Sequence, residues 1–227
     1  MKKKIIIALS IIPQYIIVKL LSGYPEFVES YYSHGLYPVI SKILRFMFGW
    51  LPFSVGDIFY TLAGIYIIRW IVINWKRITK DSKAWVIDVL SAVSILYFAF
   101  HFFWGLNYYR LPVHKSIGIN NRYTTEELIE VTKQLIQKSN EIHQSLSDND
   151  SIKIEMPYSK KELLEKTANG YSQLAIIFPN LEHTIQSTKL SLYSLPLTYM
   201  GFSGYLNPFT NEAQINGLIP LYQYPTT

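Results

Sequence analysis

The sequence predicts an α-helical membrane region of three spans plus an interfacial helix, followed by a small α+β domain with two or three antiparallel strands. Three observations carry that expectation. Hydrophobic residues make up 49% of the 227 and charged residues only 16%, at a mean hydropathy of +0.13, where a soluble domain carries about 25% charge. Long apolar runs crowd residues 1–105, and the composition turns polar beyond them. The charge divides at the same place. Residues 1–105 hold eleven Lys/Arg against five Asp/Glu, a net of +6; residues 106–227 hold ten against eleven, a net of −1. The positive excess flanks apolar runs, as membrane topology requires. A nucleic-acid binder would gather it on one face of a polar domain, so no nucleic-acid partner is expected. The chain has no cysteine, which excludes disulfide scaffolds, thiolate metal sites and a thiol nucleophile.

The spans come first. A bilayer core about 30 Å thick needs roughly 20 apolar residues per helix. Residues 55–75 and 84–105 meet that length, and residues 5–21 approach it, interrupted by Pro13 and Gln14. The basic start of the first run also suits a signal peptide, but no small-x-small site follows it, so it is read as a retained anchor. Lys2, Lys3 and Lys4 precede the first span, and Lys76, Arg77, Lys80 and Lys83 fill the link between the second and third. The 22–54 link has only Lys42 and Arg45. Lys/Arg excess marks the cytoplasmic side. The N-terminus and 76–83 are thus expected inside, with 22–54 and everything after Gly105 outside. Within 38–51, Ile40, Ile43, Leu44, Met47, Phe48 and Leu51 recur at helical spacing opposite Ser41, Lys42 and Arg45. That pattern predicts an amphipathic helix in the outer interface.

Ionisable residues within spans are costly and suggest function by default. Arg69 and Asp88 fall towards one face of the membrane, and Asp57 and His101 towards the other. Each set is expected to pair across the second and third spans, or to reach the headgroups. A proton path would need polarity through the midplane, where residues 89–100 offer only Ser91, Ser94 and Tyr97.

Beyond residue 105 the polar part is expected to form an extracytoplasmic α+β domain, 106–227. Thr124-Thr125-Glu126-Glu127 and Ser159-Lys160-Lys161-Glu162 are capping boxes, in which hydroxyl and carboxylate satisfy orphan amides reciprocally. The first helix should bury Leu128, Val131, Leu135 and Ile142 and end near 144–148, before a turn at 147–151. The second should carry Leu163, Leu164, Tyr171 and Leu174 and stop before Pro179. From Ser187 the period shifts towards strands: Leu190 and Leu192 share a face within 189–193, 198–206 is rich in aromatics and glycine, and 212–219 is extended after the turn at 207–211.

Familiar catalytic motifs are missing. There is no phosphate-binding loop. Gly201-Phe202-Ser203-Gly204 lacks nucleophile-elbow spacing. His34, His101, His114, His143 and His183 share no i, i+4 face, so no metal ligands are assigned. The unusual strings are Gly56-Asp57 opening the second span, His101-Phe102-Phe103-Trp104-Gly105-Leu106-Asn107-Tyr108-Tyr109-Arg110 closing the third, and the segment 204–216. On these strings the whole chain resembles a family of bacterial membrane proteins catalogued as domain of unknown function 3810.

That family is similar to zinc metallopeptidases, whose members continue just past this point into a helix bearing H-E-x-x-H, two histidines for zinc and a glutamate to activate water. The resemblance therefore implies a zincin-like subdomain in a bacterial inner-membrane protein. Pro225-Thr226-Thr227 ends the chain before the zinc ligands and the general base, so no catalytic residue and no bound cofactor are assigned to it; zinc is implied only with a further segment. The resemblance also implies that 204–216 supplies an edge strand pairing with an extended peptide or protein substrate. Gly204, Tyr205, Asn207, Asn211, Glu212 and Asn216 would be its substrate-binding residues. The expected function is the anchor and substrate-strand portion of a metallopeptidase-like protein, not competent alone. The alternative is a non-enzymatic, membrane-anchored binding or assembly module of the cell envelope. For the individual residues a plainer role stands beside the functional one: a turn at Asn207, a solvated Glu212, a core Tyr205.

Overall fold

The computed structural model describes residues 2–116, 118–147, 149, 151–155, 157–177 and 188–219. The Pro179 stop, His183 and the Pro225-Thr226-Thr227 end lie outside these residues, as do Asp148 and Asp150 of the expected turn. The chain divides into two compact units, 1–110 with 164–227, and 111–163. The division differs from the boundary expected at Gly105, because the strand-bearing segment groups with the helices.

In the larger unit, three helical stretches are long and apolar enough to cross a membrane: Lys2–Leu21, Val55–Asn74 and Ser82–Phe103. This is a membrane protein, and its apolar helix faces associate with lipid. The first stretch is made of α1 (Lys2–Leu9) and α2 (Ile11–Leu21). Proline has no N–H to donate four residues back, so Pro13 leaves the Leu9 carbonyl without a helical partner, and the break falls at Ser10. The kink has a use. Ser10 Oγ and Gln14 Nε2 reach Ser94 Oγ at 3.0 and 3.1 Å, and Ser91 Oγ donates to the Lys4 carbonyl at 2.9 Å. Ser91 and Ser94 are thus bonds between packed helices, the usual polar glue of membrane bundles.

The 22–54 link is helical almost throughout. The short α3 (Pro25–Phe27) runs into a π-helical segment, Val28–Leu36, and then into α4 (Tyr37–Phe48). The π-segment buries Glu29, Tyr32 and Ser33 on one face. That face meets the end of the third span: Tyr32 OH donates to the Phe102 carbonyl at 2.9 Å and Ser33 Oγ to Asn107 Oδ1 at 2.8 Å. On the amphipathic α4, Ile40, Ser41 and Leu44 face the protein, while Ile43, Phe46 and Met47 are exposed. The expected apolar stripe is therefore shared between the protein and its surroundings.

The second span is α5 (Val55–Asn74). The link after it holds α6 (Arg77–Lys80), and the third span is α7 (Ser82–Phe103), followed by a 3-10 turn at Gly105–Tyr109. In the same unit lie most of α10 (Lys160–Ile177), then β1 (Thr188–Leu190), α11 (Ser194–Tyr199), β2 (Gly204–Leu206) and β3 (Ala213–Ile215). The strands form one sheet in the order β1-β3-β2. β2 pairs antiparallel with β3, as expected, but β1 pairs parallel with it. The sheet is mixed because the chain between β1 and β3 passes through α11 and β2 instead of turning straight back.

In the smaller unit, α8 (Val113–Ser116) precedes α9 (Thr125–Leu146). The expected capping box opens α9: Glu127 N donates to Thr124 Oγ1 at 3.2 Å and Thr124 N to Glu127 Oε2 at 2.7 Å. The box at Ser159 opens α10 in the same way, with Ser159 N donating to Glu162 Oε2 at 2.7 Å. The apolar face of α9 is not buried as expected. Leu128, Val131, Leu135 and Ile142 are all exposed, because the described residues of this unit supply no second apolar layer against it.

Candidate functional site

The largest fully buried side chains among the described residues are mostly polar. Gln214, Glu212, Asn207, Asn216, Thr210, Asp57 and Ser54 are each under 2% exposed. All but Asn216 gather at the N-terminal end of α5.

A helix leaves its first four N–H groups without intrahelical partners. Here two donors of the first turn find them in a distant segment and a third in the helix's own cap. Val55 N and Gly56 N donate to the two carboxylate oxygens of Glu212 at 3.2 and 2.7 Å, and Asp57 N donates to Ser54 Oγ at 3.2 Å. Thr210 Oγ1 donates to the same carboxylate at 2.9 Å, and Gln214 Nε2 to Ser54 Oγ at 3.0 Å. A carboxylate suits the positive end of the helix dipole. Gly56 makes the approach possible. A Cβ there would lie 2.6 Å from Gln214 Nε2 and closer still to Asn207 Nδ2.

One residue further on, Asp57 reverses the direction of the contact. Its Oδ2 accepts from Ser191 Oγ at 2.9 Å and from Leu192 N at 2.7 Å, and its Oδ1 accepts a short hydrogen bond from the Tyr205 hydroxyl. Burial, and then the hydrogen bond to Asp57, push the Tyr205 phenol above its usual range, so it stays a neutral donor. Tyr193 OH joins the Asp57 carbonyl at 3.2 Å and Thr61 Oγ1 at 2.6 Å.

Lys189 of β1 completes the clamp on the other side of the corner. It is 7% exposed, and its ammonium donates to the carbonyls of Gly49, at 2.8 Å, and Leu51. These carbonyls follow the C-terminal end of α4, where a cation suits the dipole. Desolvation lowers its pKa, and the Glu212 carboxylate offsets part of that. The segment 188–216 therefore places a cation after one helix and an anion before the next, and holds the α4–α5 corner between them.

The turn at 207–211 is built for this. Asn207 Oδ1 accepts from Phe209 N and Thr210 N at 3.0 and 3.2 Å, an Asx turn. Asn211 takes the left-handed conformation, φ 55°, which asparagine tolerates. Its Oδ1 accepts from Tyr37 OH at 3.2 Å. Asn216 Nδ2 ties Thr198 Oγ1 and the Phe202 carbonyl at 2.8 and 3.1 Å.

A family model described as protein of unknown function (DUF3810) matches residues 32–227. The chain belongs to this family. No curated protein and no solved structure matches it. The DUF3810 match takes in the whole clamp, from Lys189 and Glu212 to the α4–α5 corner they hold, and leaves the first span outside.

The clamp of this DUF3810 chain brings together Gly204, Tyr205, Asn207, Asn211, Glu212 and Asn216, the residues expected to bind substrate. Asn207, Asn211, Glu212 and Asn216 are buried, while Gly204 and Tyr205 lie on the edge strand β2. Asp57 belongs to the same cluster. His101, its expected partner, instead sets its Nδ1 2.9 Å from the Tyr97 carbonyl and stacks on Tyr109. Asp88 pairs with Lys4 at 2.5 Å and Arg77 at 3.0 Å, not with Arg69. Arg69 sits on an exposed face of α5, whereas the lysine-rich start of α1 packs along α7.

Sequence reasoning missed Lys189, Ser54, Gln214 and the pair Glu29–Arg110, whose two bonds measure 2.9 and 2.7 Å. Arg110 and Gln214 lay inside the strings 101–110 and 204–216, and Glu29 was one of two acids in a link otherwise rich in aromatic and apolar residues. Among the described residues, no group of three or more His, Asp or Glu could share a metal ion; Asp57 and Glu212 spend their oxygens on the contacts above.

Proposed function

We propose that the chain is the membrane-anchored front part of a metallopeptidase-like protein, supplying the anchor and a strand against which an extended peptide pairs, without turnover of its own. The observation that supports this best is the clamp of Glu212 and Lys189 on the α4–α5 corner. A three-stranded sheet is marginal alone; bolted to the end of a membrane helix, it becomes a fixed platform. β2 is an edge of that sheet, Tyr205 at its centre is tied to Asp57, and Phe202 and Leu206 beside it are exposed. Strand addition uses such an edge.

The Lys/Arg distribution supports an orientation for this platform: N-terminus and the 76–83 link in the cytoplasm, the clamp and sheet on the outer side of a bacterial inner membrane. A phosphatase fused after Gly105 should be active, and activity of a cytoplasmic reporter there would overturn the orientation.

The strand-pairing reading is tested by placing a photo-crosslinking residue at Leu206, with Leu135 on α9 as control. Capture of extended peptides at Leu206 alone supports it, and equal capture at both positions overturns it. The metallopeptidase side is tested by reading the coding sequence beyond codon 227. An in-frame H-E-x-x-H supports it. A stop codon there supports the second reading, a non-enzymatic binding or assembly module. One observation favours that second reading: Glu212 and Asn216 spend their polar atoms on contacts within the chain.

A further inference from the structure

Towards the lysine-rich end of the spans, residues of α5 and α7 line a groove of about 490 Å³, within the roughly 300–1,000 Å³ typical of ligand pockets. Its walls are apolar, with Ile67, Ile71, Val89, Val93 and Leu96 among them. Trp70 and Trp85, whose rings lie 6.0 Å apart, line the end nearest the lysine-rich link. There the lining turns polar: Lys4, Asp88 and the Trp85 indole. The Trp85 Nε1–H is buried and has no hydrogen-bond partner, and an indole N–H can only donate. Asp88 is shared between Lys4 and Arg77, so the three side chains carry one positive charge in surplus. Lys76, Lys80 and Lys83 are exposed nearby in the chain, with only Asp81 against them.

We propose that this groove is a binding site for an anionic phospholipid. One acyl chain lies between α5 and α7, and the phosphate accepts the Trp85 N–H and neutralises the surplus charge of Lys4 and Arg77. Three features select this occupant over plain bilayer lipid. The cations stand at one end of the groove, as in basic pockets between membrane helices that hold lipid headgroups. An orphan donor, the Trp85 N–H, belongs to a side chain that lines the same end. The apolar walls run on from it along both helices, as a chain attached to that headgroup requires.

The test uses the full chain in mixed micelles, with Trp50, Trp75 and Trp104 replaced by Phe so that only Trp70 and Trp85 report. Brominated phosphatidylglycerol should quench their fluorescence at a several-fold lower mole fraction than brominated phosphatidylcholine, and unlabelled phosphatidylglycerol should reverse it. Lys4→Gln should cut that preference roughly five-fold, the effect of about one cation at a membrane surface. Asp88→Asn separates binding from folding. A merely structural ion pair predicts lost preference, whereas the lipid site predicts a stronger one, because both cations are freed. Equal quenching by the two lipids, weakened preference in Asp88→Asn, or a tryptophan signal that changes only on dimerisation of the chain would each overturn the proposal.

Discussion

At the residue scale, Glu212, Asp57 and Lys189 each answer for specific backbone groups. Removing the Glu212 carboxylate strands one buried amide, Gly56, and one part-buried amide, Val55, and an unsatisfied buried donor costs about 1–3 kcal/mol. Glu212→Ala should therefore lower unfolding stability in detergent by several kcal/mol, while Glu212→Gln, which keeps one acceptor, should cost less. Gly56→Ala should cost about 1–3 kcal/mol through overpacking, since its Cβ meets Gln214 and Asn207. A wild-type-like melting curve for that variant would mean the close approach does not exist. The Tyr205 phenol, raised from 10.0, gives a pH signature. Below pH 10.0 folded and unfolded chains both hold its proton, and its contribution is complete. Above that value the unfolded chain releases the proton first, so stability falls as pH rises. Tyr205→Phe should flatten that alkaline slope in unfolding curves. Lys189 bends the other way: its pKa is lowered from 10.5, so its share of stability grows as pH rises from the lowered value towards 10.5.

At the element scale, the helices were legible and their partners were not. Apolar length located α5 and α7, and the two capping boxes located the starts of α9 and α10, because these signals are local. The kink at Pro13 was visible as an interruption. Its consequence, Ser10 and Gln14 bonding Ser94, needed the neighbouring helix. Ser94→Ala should cost about 0.6 kcal/mol, the average for interhelical hydrogen bonds in membranes, read as a small shift in thermal unfolding. The strands show the opposite balance. Each is three residues long, too short for alternation to reveal its register or the parallel β1–β3 pair. Gly204 had a visible signal as a glycine in an extended run. A Cβ there would meet the Gln214 carbonyl at 2.6 Å, so Gly204→Ala should split β2 from β3, measurable as lost amide protection across 204–206 and 213–215.

At the scale of the whole molecule, the sheet is not a domain that stands beside the membrane region. Residues 164–227 group with 1–110, and Glu212, Asp57 and Lys189 make their bonds across more than a hundred residues of chain. A fragment of 106–227 takes from Glu212 the Val55 and Gly56 amides and from Lys189 the Gly49 and Leu51 carbonyls, and with them the contacts that hold the sheet in place. That fragment should therefore show α9 helicity by circular dichroism but no protected amides in 204–216. Protection equal to that of the full chain would show that the sheet folds without the α4–α5 corner.

What the sequence determined alone is what needs only short-range information: three apolar runs of membrane length, the capped helices, the glycine at position 56 and the family strings. Asp57 and Glu212 were both singled out, but neither could be joined to the other's neighbourhood. Pairing among buried polar groups is chosen by which distant backbone amides and carbonyls are left unsatisfied when helices end, and that is known only once the chain has folded. The tertiary structure therefore decided that Asp88 meets Lys4 and Arg77, that Asp57 meets Tyr205 and not His101, and that the polar residues of 207–216 close over a helix end.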